Sequence, residues 1–240
     1  MAETTMAPWK RVVAEVVSIV GSILLAFAIN AWWADRTETV RTNELLSQLD
    51  VEWKSELSRL NSTLDQFQRY QRAMVEIIRM HEDDSSTMSE EKALDLFEAH
   101  RWSTFKPSTA ALDTLLSDGL DHVHNDALRQ AVASWHSVLN EPAPEQNALL
   151  AVALGGVREI RANVADRLDL PIFDVADEKS PLAKYGPASG KLALAILTDD
   201  EFIRVQRRVL DIATDYQDQL RSVRAKLAGN IKMLEAQLAD

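Results

Sequence analysis

The chain has 240 residues, 46% of them hydrophobic and 26% charged, the make-up of a folded protein, and its seven Gly and seven Pro are few for a sheet-rich fold full of tight turns. Its net charge is −11, and because Glu3, Glu15 and Asp35 cancel Lys10, Arg11 and Arg36, all of that charge falls after Arg36; so acidic a domain repels nucleic-acid phosphates, which excludes nucleic acid as a partner. There is no cysteine, so disulfides, thiolate chemistry and cysteine-based zinc sites are excluded too.

Residues 1–11 read as a short tail and residues 12–34 as a transmembrane helix. Within it the run VVSIVGSILLAFAINAWWA, residues 16–34, carries no charge. As a helix that run extends about 28 Å, close to the hydrocarbon thickness of a bilayer. Trp9 lies on one side and Trp32 and Trp33 on the other, where amphipathic rings favour the two interfaces. Ala26-Phe27-Ala28 has the small-x-small form of a signal cleavage site, but the apolar run continues past it through Ile29 and the Trp pair, so the segment reads as an anchor. Ala14, Ser18, Ser22, Ala26 and Asn30 recur every four residues with Gly21 beside them. Such a stripe lets a second helix approach closely, either another copy of the chain or a partner membrane protein; the plainer reading is that small residues are common in membrane helices. Glu15 sits one turn after Arg11, which would satisfy it at the interface. Lys10 and Arg11 on one side balance Arg36 and Arg41 on the other, so charge does not orient the anchor; the short tail is assigned to the cytoplasm and the domain to the periplasm.

Residues 35–240 make a helical soluble domain. No proline occurs between Pro8 and Pro107, and nothing obliges the helix to stop as it leaves the bilayer. Leu46, Trp53, Leu57, Leu60, Leu64, Phe67, Met74 and Ile78, with Gln71 filling one slot, follow a period near 3.5, which predicts a long helix over 35–80 with a narrow buried seam. That seam pairs either with a second copy or with the last helix of its own chain. The polar run 81–89 reads as a loop. Short helices are predicted within 90–168: at 90–102, at 109–117, at 126–140 behind an Asn125 cap, and at 145–168 after Pro142 and Pro144. Residues 171–190, with three prolines and two glycines, read as an irregular loop. Thr198 to Glu201 reads as a capping box opening a long helix over 199–239, with an apolar face from Phe202 to Leu238 at a mean step of 3.6. The fold class is therefore all-α, two long helices packed antiparallel with short helices covering one end.

GSILLAFAINAWWADR, FKPSTAALDTLLSDGLDHVHNDALRQAV and LTDDEFIRVQRRVLDI together resemble an uncharacterised family of small bacterial single-pass membrane proteins, a domain of unknown function. Gly21, Ala26, Ile29, Asn30 and Trp32 fit the anchor pattern of that family. The resemblance implies architecture and residence in the bacterial inner membrane, and carries no catalytic residue across.

No P-loop, dinucleotide fingerprint, HExxH or GxSxG is present, which predicts no enzyme and no cofactor. His122 and His124, flanked by Asp118, Asp121 and Asp126 and followed by His136, are the nearest approach to a metal site. Their spacing matches no established ligand set, and exposed polar residues beside an N-cap account for them equally. Arg158, Arg161 and Arg167 on one helix are interleaved with Glu159 and Asp166, as ordinary surface pairs are. Two functions stay open: an interaction or structural protein at the membrane, and an extracytoplasmic small-ligand sensor, whose output would need a partner subunit because so few residues precede the span.

Overall fold

The computed structural model describes residues 8–83, 88–99, 101–118, 120–121, 123–170, 186 and 188–239, excepting the side chains of 8–12, 14 and 157. Among them the regular structure is all helix: α1 (Pro8–Glu82), α2 (Glu90–Ala99), α3 (Ala110–Asp118), α4 (Asp126–Asn140), α5 (Ala143–Arg167), α6 (Ser189–Leu197) and α7 (Asp200–Ala239).

Proline opens α1, where its missing N–H costs nothing, and with no later proline the helix runs 75 residues, about 112 Å at 1.5 Å per residue. It passes from the apolar run into the bundle without a break. Every described side chain from Val13 to Glu38 is exposed, and burial begins at Thr42. From there α7 lies antiparallel along α1: Lys54 pairs with Glu235 at 2.7 Å near one end, and His81 with Asp200 at 3.1 Å at the other.

The buried seam of α1 is Leu46, Leu49, Trp53, Glu56, Leu60, Thr63, Phe67, Tyr70, Met74 and Ile77, alternating steps of three and four. It faces Phe202, Gln206, Val209, Ala213, Tyr216, Leu220, Val223, Leu227, Asn230 and Leu234 of α7, in the same alternation. Two 3.5-period seams in register are the geometry of a coiled-coil pair, in which side chains of one helix seat between those of the other. The alternation differs from the apolar reading of the sequence at five of its ten positions on α1 and at three of ten on α7. Leu57 and Ile78 are only partly buried and Leu238 is exposed, while Glu56, Thr63, Gln206 and Asn230 occupy the centre. Leu57 sits beside Glu56 and Val205 beside Gln206, each a buried polar residue with a bonded partner, whereas Ile78 and Ile212 sit beside the buried Ile77 and Ala213. The seam is intramolecular, since α7 of the same chain covers it.

The short helices do not cap one end, as expected; they line the length. Helices α2 and α3 pack on α1, α4 and α5 on α7. Helix α2 ends at Ala99, three residues before the expected boundary, and α5 begins at Ala143 with Pro144 in its first turn. It ends with Asp169 in the left-handed region at φ 54 and the Leu170 N–H donating to the Ala165 carbonyl at 2.9 Å, a left-handed stop. An added Cβ on Gly156 would fall 2.8 Å from Val205, so α5 reaches α7 only because that residue is glycine.

Helix α6 was not expected. Ser189 and Gly190, assigned to the irregular loop, form its first turn, and the apolar run KLALAIL buries Leu192, Ala193, Ile196 and Leu197 chiefly against α2. A Cβ on Gly190 would lie 2.9 Å from Glu90, so this glycine serves close helix contact rather than a turn. The rest of the expected loop, 171–185, lies outside the described residues. The capping box is also displaced. Asp199, not Thr198, caps α7, its Oδ1 accepting from the Glu201 N–H at 3.0 Å and the Phe202 N–H at 3.3 Å. Thr198 donates back to the Leu194 carbonyl at 2.8 Å and closes α6.

Candidate functional site

The membrane-span residues singled out by spacing all lie on α1. Ser18, Gly21, Ser22, Ala26 and Asn30 are exposed on that helix, and the side chain of Ala14 lies outside the described residues. The Ser22 hydroxyl donates to the carbonyls of Ser18 and Ile19, at 3.0 and 2.8 Å, so it is satisfied within its own helix. Trp32 and Trp33 meet edge to face with centroids 5.4 Å apart, and the Arg36 guanidinium sits 6.0 Å from the Trp32 ring. The ring of Trp9 lies outside the described residues. Among the described residues one helix, α1, is long and apolar enough to cross a membrane by length and composition.

The histidines are not gathered. His122 lies outside the described residues. His124 precedes α4, and His136 lies ten residues into that helix, about 15 Å further along its axis. No group of three metal-ligating side chains occurs among the described residues. His136 instead faces α3, its Nε2 2.7 Å from Asp113 Oδ1, while the Thr109 hydroxyl donates to Asp113 Oδ2 at 2.9 Å. Arg167 pairs with the α7 cap Asp199 at 2.6 Å, not with its helix neighbours. Desolvation alone would raise the Asp199 carboxyl, but Arg167 and the amides of Phe202 and Glu201 outweigh it and hold the group below its ordinary value.

What the structure does gather is the extended segment 101–109 with its FKPST sequence. Three side chains of α1 clamp it. Glu56, 4% exposed, accepts from the Ser108 N–H at 3.1 Å and from Arg59 at 2.7 Å. Arg59 in turn donates to the Lys106 carbonyl at 2.6 Å. Glu52 accepts from the Ala111 N–H at 2.9 Å, and so caps α3 from another helix. The buried Phe105 N–H donates to the Tyr216 hydroxyl at 3.1 Å, and that hydroxyl donates to Gln146 Oε1 at 2.9 Å. Burial raises the Tyr216 phenol above its ordinary value, the Phe105 N–H opposing. Below the segment, Phe67 stacks on Trp102 at 5.4 Å and meets Tyr216 edge-on at 5.3 Å.

Between this segment, α4, α5 and α7 lies a cleft of about 330 Å³, with Phe105, Leu139 and Leu220 among its apolar lining and Lys106, His136 and Gln146 among its polar lining. Of these, sequence reasoning named only His136 as a site candidate, and named it for metal; Leu220 entered as part of the apolar face of the last helix. Lys106 and Gln146 lie 40 residues apart, and Tyr216 a further 70, on segments that no local pattern joins. The one available signal was the composition of FKPST itself, an aromatic and a base beside a proline, too short to specify a contact.

Comparison with protein-family models, with curated proteins and with solved structures gives no match for this chain.

Proposed function

We propose that the chain is a single-pass protein of the bacterial inner membrane that holds a helical bundle in the periplasm, where the bundle serves as a protein-interaction or structural component. The observation that carries this reading is the continuity of α1 from the exposed apolar run to Glu82, with α7 packed along its second half. An exposed apolar helix of that length has no stable place in water, and the bilayer is the solvent that accepts it. Because the span and the core of the bundle are one helix, a partner bound to either is placed rigidly with respect to the other.

The periplasmic side rests on the resemblance to small bacterial single-pass proteins, since Lys10 and Arg11 before the span balance Arg36 and Arg41 after it and charge favours neither orientation. The bacterial setting rests on the resemblance of the anchor and the FKPST segment to small bacterial single-pass proteins.

The protein should sediment with membranes and resist alkaline carbonate; release by carbonate overturns the anchor. A C-terminal alkaline phosphatase fusion should be active and a fluorescent-protein fusion dark, and the opposite pair reverses the orientation. Full-length protein purified in mild detergent should bring down a specific membrane partner identified by mass spectrometry, or a second copy. A monodisperse monomer that purifies alone overturns the interaction role.

A further inference from the structure

We propose that the cleft beneath the FKPST segment is a binding site for a small organic carboxylate with an apolar body. The first argument is charge. In a chain of net charge −11, the lining of this cleft contains no Asp or Glu, and its titratable residues are Lys106, His136 and Tyr216. Four other clefts each carry a glutamate: Glu76, Glu52 with Glu56, Glu201 and Glu98. Glu141, on the turn beside the cleft, is taken up by Lys226 at 2.8 Å. A cationic recess in an acidic surface attracts an anion and disfavours a cation.

The second argument is the arrangement of donors. The Lys106 ammonium makes no hydrogen bond or ion pair among the described residues. The Gln146 amide is oriented by Tyr216, whose hydroxyl occupies its oxygen and leaves the amide NH2 to donate elsewhere. His136 is positioned by Asp113 through Nε2 at 2.7 Å, and Asp113 itself is held by Thr109. The Lys106 ammonium and the Gln146 amide, on two separate elements, thus line one recess as donors, while His136 lines it with its Nε2 committed to Asp113. A carboxylate, with two oxygens and about four lone-pair sites, matches that set, and charge-assisted hydrogen bonds of this kind are the stronger ones.

The third argument is the apolar wall. Pro107, Leu139 and Ala143, partly exposed over the buried Phe105 and Leu220, would receive a ring or a branched chain, and a bare inorganic anion would leave them unused. The volume of about 330 Å³ stands at the small end of ligand pockets, suited to a single ring rather than a cofactor.

The test uses the full chain in phosphatidylcholine nanodiscs, with benzoate, phenylacetate and isovalerate as probes and benzamide and phenylacetamide as neutral counterparts. Ligand-observed NMR titration should show saturable binding of at least one carboxylate and none of the amides. Loss of one charge-assisted contact should weaken binding roughly tenfold in Lys106→Gln. Lys92→Gln, which alters a lysine paired with Glu76 on another face, should bind as the parent does. Leu139→Trp fills the cleft without touching its charges and should abolish binding while the helical circular dichroism spectrum is retained. The proposal is overturned if no carboxylate saturates below about 10 mM, a standard free energy near −3 kcal/mol, if an amide binds as well as its acid, or if Lys106→Gln or Leu139→Trp binds unchanged.

Discussion

Residues 13–38 and 42–82 belong to one helix, yet every described side chain of the first stretch is exposed, while α7 lies along the second from Lys54 to His81. The two halves solve the same backbone problem, since every interior N–H and C=O is bonded within the helix. They differ in what the side chains ask of their surroundings. In the first half the apolar residues run all round, and two hydroxyls bond back to their own helix, Ser22 to the Ser18 and Ile19 carbonyls and Thr37 to the Trp33 carbonyl at 2.8 Å. In the second half the apolar residues form a stripe, and polar residues within it reach partners on other elements, as Tyr70 does with Gln206 at 3.0 Å and Glu56 with the Ser108 N–H at 3.1 Å, although Thr63 still bonds back to the Arg59 carbonyl at 3.1 Å. A helix that satisfies its polar groups internally suits lipid; one that satisfies them across an interface needs a folded bundle.

The comparison breaks hardest at Leu64. This residue is 3% exposed against the core, and Leu64→Asp would bury an unpaired carboxylate there. The bundle should unfold, seen as loss of the cooperative thermal transition in detergent. The gentler Leu64→Ala should cost about 2–5 kcal/mol, whereas Leu24→Ala in the exposed half should leave that transition within about 0.5 kcal/mol. Equal effects of the two alanine variants would mean that the halves are not independent.

Tyr70 sharpens the same contrast. It is fully buried, and Tyr70→Phe leaves Gln206, 2% exposed, without its donor. The expected loss is about 1–3 kcal/mol by denaturant titration, at constant dependence on denaturant. Desolvation pushes the Tyr70 phenol above its ordinary value, so the folded state should show no tyrosinate from this residue at pH 11.

These polar seam positions also mark where the sequence was legible and where it was not. Helix α4 and its Asn125 cap agree with the expectation residue for residue, because the cap is a local bond, Asn125 Oδ1 to the Leu128 N–H at 3.1 Å. The antiparallel pairing of the long helices was legible from their lengths, while the period alone left a second copy as an equal partner for the seam. The choice of Glu56 over Leu57 for the centre of the seam was not, because it is decided by Ser108 and Arg59, one of them 52 residues away. The same holds for α6, whose turn-like Ser-Gly opening becomes helix only against α2, and for the cleft, which exists only once four segments meet. The shift of the cap from Thr198 to Asp199 depends on α6 ending where it does.

Asp199 gives a smaller, pH-dependent effect at the far tip of the bundle. Its folded pKa is depressed, so its contribution is fully present above the unfolded value near 4 and is lost as pH falls through the folded value. Asp199→Asn keeps a capping oxygen and removes the charge opposite Arg167. The melting temperature should fall by about 1–3 °C at pH 7, since the Arg167 partner is exposed, and the difference should vanish towards pH 2. A difference that persists undiminished at pH 2 would assign the effect to the cap and not to the charge.

The smallest expected effect belongs to the exposed half and asks whether it is alone in the membrane. Ser18, Ser22 and Ala26 leave one side of α1 with little side-chain bulk, so a second backbone could come close enough for many dispersion contacts. Lipid removes the hydrophobic drive between helices, and such packing is then the main attraction available. The Ser22 hydroxyl already has both its bonds inside the helix, so Ser22→Ile changes bulk and leaves no stranded donor behind. Asn30 is different: its amide has no partner among the described residues, and a hydrogen bond across to a second helix is worth of order 1 kcal/mol. In a transmembrane two-hybrid assay Ser22→Ile and Asn30→Ala should each reduce signal several-fold, and Leu24→Ile, on a bulky position, should not. If Ser22→Ile and Leu24→Ile behave alike, close packing along the stripe is ruled out. If only Asn30→Ala weakens the signal, the contact is a single polar bond between helices that otherwise keep a lipid-like distance.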